Sequence, residues 1–360
     1  MVVNFKVNYS FNHTYEKIAM TVFIFLTFFY KNMKPSYFKG ITGDFFYTLL
    51  LSIYFFKYEC LFLSTMATIL ITGGTGLIGK ELTKKLTSKG HVVNILTRTP
   101  KKNNEFRWNV KESFIDKDAF NNVSHIIHLA GAGIADKRWT NERKKELINS
   151  RVKTANLLFN KVQEYQVPLE KFISASGIGY YGAVTSDKVF TEKDKPENDF
   201  ISKICVKWEN AALQFEQIDI PVTILRTGVV LSKNGGALQK MNTPLFLSAL
   251  GNGKQYMPWI HIDDLCELYS KAIEDKDFNG IFNAVAPEHQ TNESFTKLLG
   301  KSINKPVLPM NAPSFILKTA LGEMAYILLK GSRVSSKKTN SNYNFIFPTL
   351  KTALTNIYNG

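Results

Sequence analysis

The sequence predicts an α/β fold, in which a doubly wound parallel sheet precedes a small, mainly helical C-terminal domain on the substrate side. Three observations support this fold. Short β-branched runs alternate with amphipathic stretches after Met66, as in a parallel sheet with crossover helices. A glycine-rich turn joins the first run to the first amphipathic stretch. From Pro306 onward the composition changes to prolines, an apolar stretch and a polar run.

The first strand-helix-strand unit follows from local patterns. The β-branched run Ala67–Ile71 predicts a strand. The segment Leu77–Ser88 predicts a helix because its apolar residues recur near helical spacing, and Gly90 follows as a stop signal. The run His91–Thr97 predicts the second strand.

Later runs extend the same pattern. Buried strands are predicted at Ser124–Ala130, Lys171–Ala175, Pro221–Leu225 and Gly280–Ala284. A long, charged and periodic segment predicts a helix over Asn141–Tyr165, and an apolar segment predicts a single helix over Phe315–Leu329. The predicted boundaries are 66–295 for the sheet domain and 306–358 for the C-terminal domain.

Residues 1–65 differ in composition from the rest of the chain. They hold nineteen Phe and Tyr but no Trp and no Arg. Their apolar runs, Ile18–Tyr30 and Phe45–Phe56, are shorter than the roughly 20 residues of a membrane-spanning helix. Three interpretations stay open: translated upstream sequence before a true start at Met66, a membrane-associated leader, or a folded subdomain. We expect a membrane partner only in the second case.

Composition excludes several classes of protein. The chain has 360 residues, 44% hydrophobic and 21% charged, which suits a buried core and argues against disorder. The three cysteines, Cys60, Cys205 and Cys266, form no C-x-x-C pair, so we expect neither a disulfide scaffold nor a thiolate zinc site. They fit a reducing compartment, and we expect the cytoplasm. The net charge of +15 suits a phosphate-bearing ligand, and no aromatic-interleaved basic stripe predicts a nucleic-acid partner.

The segment Thr72–Gly79 predicts a phosphate-binding turn of the Rossmann type. Its residues 73–79 are Gly73, Gly74, Thr75, Gly76, Leu77, Ile78 and Gly79. The first glycine permits a tight turn, the third lets the backbone approach a diphosphate, and the last lets helix and sheet pack closely. The following helix then offers its free N–H groups and partial positive charge to the diphosphate.

The end of the second predicted strand indicates the cofactor. An NAD site usually places an acidic residue there to bind the ribose 2′-hydroxyl. The segment Leu96–Lys102 contains no acid, and Arg98 can form charge-assisted hydrogen bonds to a 2′-phosphate. The sequence therefore favours NADP over NAD, with a solvated basic loop as the alternative.

Several ordered motifs resemble one family. The chain resembles the extended short-chain dehydrogenase/reductase superfamily, and more closely its atypical branch of sugar-nucleotide-epimerase-like epimerase family proteins with their own C-terminal domain. The motifs, besides the turn, are His128–Gly133, Arg138–Thr140, Ser150–Val152, Ser174–Gly182, Leu225–Gly228, Gly235–Leu238, Pro258–Leu265, Gly322–Glu323 and Gly331–Arg333.

The resemblance implies roles for particular residues. Ala130 and Gly131 would pass under the adenine and nicotinamide riboses of the cofactor. Trp139 and Trp259 either line a substrate cleft or belong to the core. His128, inside an apolar strand, is predicted to be a packed histidine.

Catalytic residues are harder to assign. Members of this superfamily use a Tyr-x-x-x-Lys pair on a helix, but the matching positions here are Ile201 and Cys205. Ser176 matches the serine that holds the substrate oxygen, although Ser174 stays an alternative. Tyr181, or its neighbour Tyr180, is a candidate for the missing phenol.

Two functional hypotheses follow. The first is an NADP-dependent epimerase or oxidoreductase that acts on a small hydroxyl- or carbonyl-bearing molecule, such as a nucleotide sugar. The second is a catalytically silent NADP(H)-binding protein that acts as a sensor or binds a partner. The helix predicted at Phe315–Leu329 would either cover the substrate or form the face of a homodimer.

Overall fold

The computed structural model describes residues 66–359, and a large β-sheet forms their centre. The strands, in chain order, are β1 (Thr68–Thr72), β2 (Val92–Thr97), β3 (Glu105–Asn109), β4 (Phe114–Ile115), β5 (Val123–His128), β6 (Lys171–Gly177), β7 (Val189–Phe190), β8 (Val222–Thr227), β9 (Val229–Leu231), β10 (Trp259–His261), β11 (Gly280–Ala284) and β12 (Arg333–Val334). Eight of them form the main sheet in the order β11-β8-β6-β5-β1-β2-β3-β4. All its pairs are parallel except that of β3 with β4.

The strand order places a topological switch point at β1. β1 pairs with β2 on one side and with β5 on the other, and Thr72 lies opposite Leu96 and His128. The carboxyl ends of these parallel strands therefore meet at one edge of the sheet. Ligands of open α/β sheets bind at this kind of edge, where the strand order reverses.

Helices cover both faces of the sheet. They are α1 (Leu77–Ser88), α2 (Asn141–Glu164), α3 (Phe200–Leu213), α4 (Ala237–Met241), α5 (Ile262–Glu274), α6 (Asn292–Ser302), α7 (Ser314–Leu321), α8 (Tyr326–Leu329), α9 (Lys337–Asn340) and α10 (Leu350–Asn359). Ile69 and Ile71 of β1 share a core with Leu82 of α1 and Leu268 of α5. Leu70 points to the opposite face and shares a core with Leu158 of α2, because successive strand residues alternate between faces.

The C-terminal region adds its own core. Trp259 of β10, Phe295 of α6 and Leu354 of α10 belong to one buried cluster. Asp264 of α5 is fully buried and accepts a hydrogen bond of 2.7 Å from the Tyr343 hydroxyl, together with two backbone N–H groups from residues 346 and 347. These bonds attach the segment before α10 to the sheet domain.

The predicted fold class is confirmed, with local differences. The single helix predicted over Phe315–Leu329 is wrong: it is interrupted at Gly322, whose φ is +60°, so α7 and α8 are separate. The sequence analysis also missed β3 and β4 and the last helix, α10. Among the described residues, none of the helices is long and apolar enough to cross a membrane. The three interpretations of residues 1–65 lie outside the described residues.

Candidate functional site

The glycine-rich turn lies between β1 and α1, as predicted. Gly73 has a φ of +73°, and its carbonyl accepts the N–H of Gly76 at 3.0 Å. A Cβ on Gly79 would lie 2.3 Å from the Gly73 oxygen and 2.5 Å from the Gly74 Cα. Backbone atoms cannot move aside as a flexible side chain can, so position 79 requires glycine for the turn to close against the helix.

The first turn of α1 is free to bind an anion. Its N-cap residue is Gly76, which has no side chain to accept from the helix N–H groups. Within the described residues, the first turn of α1 also carries no acidic side chain. The unpaired N–H groups and the partial positive charge of the helix therefore face whatever binds at the exposed Thr75–Gly76 corner.

A cavity of about 340 Å³ opens beside this turn. One wall is the turn and the start of α1, and Leu129, just after β5, contributes at the sheet edge. The facing wall comes from β9 and the start of α4. The complete lining is Gly73, Gly76, Leu77, Ile78, Gly79, Leu129, Val229, Val230, Gly236 and Ala237.

The loop after β5 is fixed to the end of β1. The N–H of Leu129 donates to the Thr72 carbonyl at 3.1 Å, and the N–H of Ala130 donates to the Thr72 hydroxyl oxygen at 3.2 Å. His128 is fully buried, and its Nδ1 lies 2.8 Å from the same hydroxyl. Burial lowers the pKa of His128 to about 4. The prediction of a packed histidine is thus confirmed.

Gly131 lies against the guanidinium of Arg151. A Cβ on Gly131 would be 2.9 Å from the Arg151 Cζ. Arg151 donates to the Ala132 carbonyl at 3.0 Å and to the Leu147 carbonyl at 2.9 Å, so α2 holds this loop through its side chain. Its guanidinium also lies over the Trp208 ring at 4.8 Å, and burial lowers its pKa to about 10. The sequence analysis included Arg151 in the motif Ser150–Val152 but did not predict this supporting role.

Arg98 follows the last residue of β2 and is exposed. It lies two positions beyond Leu96, the residue opposite Thr72, so it is at the same edge of the sheet as the glycine-rich turn. Within the part of the chain that the structure describes, Arg98 has no ion pair. Its guanidinium is available for an anionic group at this edge.

Ser176 belongs to a buried polar network. Its hydroxyl donates to Glu209 Oε1 at 2.7 Å. Arg226 makes two further bonds to the same carboxylate, both 2.8 Å long, and its side chain is 1% exposed. Burial opposes the charge of Arg226, but the hydrogen bonds and charge of Glu209 outweigh it and raise the arginine's pKa. Because the serine proton is committed to Glu209, Ser176 can only accept from another group.

Tyr181 extends this network to β11. Its hydroxyl donates to Asn283 Oδ1 at 2.7 Å and accepts from Arg226 Nη1 at 3.0 Å. Burial raises the pKa of Tyr181 to about 12, although Arg226 acts in the opposite direction. The contacts give Tyr181 a structural position, and its assignment as a catalytic phenol stays a prediction. Tyr180 is half-buried and stacks on the Arg226 guanidinium at 3.3 Å.

The two residues at the Tyr-x-x-x-Lys positions face the end of β6. A Cβ on Gly179 would lie 2.5 Å from the Ile201 Cγ1 and 3.5 Å from the Cys205 Sγ. Cys205 is buried, and burial raises the pKa of its thiol to about 12. Neither side chain can exchange a proton near neutral pH at this place.

The two tryptophans have different surroundings. Trp259 is fully buried in the C-terminal core, so the core interpretation holds for it and a cleft-lining role is wrong. Trp139 is half-buried and contacts Phe200 edge to face, with ring centres 5.0 Å apart. Lys144 lies over the same phenyl ring at 4.9 Å and pairs with Glu323 of the C-terminal region.

Comparison with known proteins identifies the family. The model of the NAD dependent epimerase/dehydratase family matches residues 69–284. The chain belongs to this family. The model of a C-terminal domain of unknown function, DUF1731, matches residues 312–357, so the predicted resemblance to the epimerase branch with its own C-terminal domain is confirmed.

Relatives of this chain include proteins of bacteria, animals and a plant. Epimerase family protein ML0860 of Mycobacterium leprae is 37% identical over 73% of this chain and 85% of its own length. Epimerase family protein SDR39U1 of mouse is 32% identical over 80% of this chain and 99% of its own. Human SDR39U1 isoform 2, whose crystal structure was solved with NADPH, is 30% identical in sequence. The match covers 81% of this chain and 99% of the human chain, and the two structures superimpose with a TM-score of 0.73.

The structure of this epimerase-family chain brings together part of the predicted site. Five residues of the glycine-rich turn line the cavity, whereas Ser176 and Tyr181 lie in the buried network. Sequence reasoning missed the facing wall and the carboxylate of Glu209. The glycine doublet at 235–236 was recognised as a motif, and it was the available signal for the facing wall.

Proposed function

We propose that this protein binds NADP(H) and acts as an epimerase or oxidoreductase on a small hydroxyl- or carbonyl-bearing molecule. The observation that carries the proposal is the uncapped N-terminus of α1 beside a cavity lined by the glycine-rich turn. Such a helix end supplies the N–H donors and positive potential that a dinucleotide diphosphate requires. The related human SDR39U1 structure with NADPH supports the same cofactor class.

The residues present fit a nicotinamide dinucleotide. Gly76 is exposed at the corner of the turn, so a diphosphate can approach its backbone. Ala130 and Gly131 follow the neighbouring strand, where the riboses would lie. When bound, the cofactor supplies hydride transfer at its nicotinamide ring.

Arg98 supports a preference for NADP over NAD. An exposed guanidinium just beyond β2 can bind a ribose 2′-phosphate through charge-assisted hydrogen bonds. Its strand carries no carboxylate at its carboxyl end to accept a 2′-hydroxyl. Structural neighbours with nucleotide sugars and NAD, such as MoeE5 with UDP-glucose at 19% identity, share the fold alone.

Isothermal titration calorimetry on the full chain tests the cofactor assignment. We expect heat of binding with NADPH and a weaker response with NADH. Arg98→Ala should weaken NADPH binding at least about tenfold, as the loss of one charge-assisted contact predicts, and leave NADH binding unchanged. Lys297→Ala is the control, because Lys297 is an exposed cation on α6 that pairs with Glu293, and α6 contributes no residue to the cavity lining. Absence of heat with both coenzymes would refute the proposal.

A catalytically silent NADP(H)-binding protein is the second candidate. It is favoured by Ile201 and Cys205 at the positions of the proton-transfer pair, and by the commitment of the Ser176 hydroxyl to Glu209. Following the absorbance of NADPH with a panel of ketones and nucleotide sugars separates the two candidates. Turnover with any of them favours the enzyme, whereas tight NADPH binding without turnover favours the silent protein.

The substrate, the partners and the location of the protein are proposals as well. We propose a small-molecule substrate, no nucleic-acid partner and a cytoplasmic location. Cys205 and Cys266 are buried free thiols, which suits a reducing compartment. The homodimer proposed for the α7 region is tested by sedimentation equilibrium of the purified chain.

A further inference from the structure

The wall that faces the glycine-rich turn is formed by a short, well-defined segment. β9 contributes Val229 and Val230, and the segment after it contributes Gly236 and Ala237. β9 is held in place by pairing with β10, where Val229 lies opposite Trp259. The proposed cofactor site is thus enclosed from the side opposite α1.

Glycines let this segment approach α1 closely. Gly235 has a φ of +144° and Gly236 a φ of +79°, conformations that side-chain-bearing residues rarely adopt. A Cβ on Gly236 would lie 3.1 Å from the Leu77 Cδ2. The Asn234 side chain donates to Glu81 of α1 at 2.9 Å and ties the segment to that helix.

We propose that the segment Gly235–Ala237, which we name the facing loop, closes the diphosphate site from above the glycine-rich turn. This inference rests on the proposed cofactor. It assigns to the facing loop the exclusion of water from the diphosphate and the positioning of its oxygens against the α1 N-terminus. Without this loop, the turn would be an open groove at the edge of the sheet.

The chemistry of the lining supports an enclosing role. All ten lining residues are glycine, alanine, valine, leucine or isoleucine, so no charged side chain enters the cavity. Backbone N–H groups must then carry the recognition of the anion. Such dipoles act more strongly when water is excluded, because the local dielectric constant is lower. An apolar wall opposite the helix end has this effect.

A bulky side chain at Ala237 tests the inference. Ala237 is half-buried and lines the cavity, so Ala237→Phe should occupy the space of the diphosphate with little effect on the core. Ala320→Phe is the matched control, because Ala320 is exposed on α7 and this helix contributes no residue to the cavity lining. Calorimetry with NADPH and thermal unfolding without NADPH are measured for each variant.

We expect Ala237→Phe to weaken NADPH binding at least about tenfold, and Ala320→Phe to bind NADPH within about twofold of the wild type. If Ala237→Phe does not fold, Gly236→Ala replaces it, with Gly280→Ala as control. Gly280 also has a positive φ of +89°, but a Cβ at this position would lie 3.9 Å from the Lys338 Nζ, and Gly280 does not line the cavity.

The outcomes separate this inference from the proposed function. If the wild type binds NADPH and the Ala237→Phe or Gly236→Ala variant binds it equally tightly, the role of the facing loop is overturned. The proposal of cofactor binding then stands. No binding by the wild type would overturn both. Loss of binding in the lining variants alone, with controls unaffected, supports the facing loop.

Discussion

Replacing Glu209 by glutamine should destabilise the protein strongly. The carboxylate accepts three hydrogen bonds, from the Ser176 hydroxyl and from two nitrogens of Arg226. Its side chain is 4% exposed and that of Arg226 is 1% exposed. The change keeps the size of the side chain and removes only its charge and one acceptor oxygen.

The loss of stability in Glu209→Gln follows from the groups that remain buried around the new side chain. The glutamine amide has one carbonyl oxygen, so its NH₂ group must face a serine hydroxyl or a guanidinium N–H. At least one hydrogen bond to the charged Arg226 is lost, which costs about 1.5 to 3 kcal/mol. Arg226 is also left as an uncompensated buried charge, and breaking such a pair from one side typically costs about 3 to 5 kcal/mol in total.

Urea unfolding followed by tryptophan fluorescence measures this loss. The same substitution at Glu293 is the control, because Glu293 pairs with Lys297 at 2.6 Å on the surface of α6, with the side chains 46% and 65% exposed. We expect the control to unfold at the wild-type urea concentration. A loss below about 1 kcal/mol in Glu209→Gln, the range of exposed pairs, would refute the idea that this network is held by a buried charge pair.

Three other perturbations test the buried groups. Burial lowers the pKa of His128 to about 4 from 6.5, so unfolded chains take up this proton first as the pH falls. His128 alone should therefore lower the free energy of unfolding by about 3 kcal/mol between pH 6.5 and 4, so the wild type should lose about this much more than His128→Gln over the same range; an equal loss of the free energy of unfolding in both proteins would contradict this. In a Cys60→Ser variant, Cys205 and Cys266 should resist a thiol reagent at pH 8 until urea is added, because burial raises the pKa of each thiol to about 12. Labelling of either cysteine in the folded chain would contradict this expectation. Asp264→Asn should cost about 2 to 4 kcal/mol, because one oxygen cannot accept the bonds that hold the C-terminal segment, and should speed proteolysis of that segment; an unchanged urea midpoint would disprove it.

The sequence by itself determined the parts of this protein that depend on local spacing. The segment Thr72–Gly79 predicts a strand-turn-helix junction because glycine positions and apolar periodicity are properties of neighbouring residues. Helix α1 was predicted with the same bounds as the structure has, and β11 likewise. The absence of acids after β2, on which the predicted role of Arg98 rests, was equally visible, because it requires only knowing where a strand ends.

Short or interrupted elements were less predictable. The apolar run Phe315–Leu329 has the composition of one helix, but Gly322 takes a φ of +60° with Arg138 packed against it. Apolar periodicity does not reveal this break, and Gly322 itself was the available local signal for it. β3 was missed although Glu105–Asn109 alternates polar and apolar residues as a half-buried strand does, because the segment is only five residues long.

Only the tertiary structure decided how distant segments complete the site. Tyr181 and Asn283 are 102 positions apart, yet they share a hydrogen bond because β8 lies between β6 and β11 in the sheet. Gly236 likewise meets Leu77 because β9 returns beside the first helix. Strand order and packing set such contacts. Both result from the burial of apolar surface by segments that are distant in the chain. The same burial commits the Ser176 proton to Glu209, which no residue spacing could indicate.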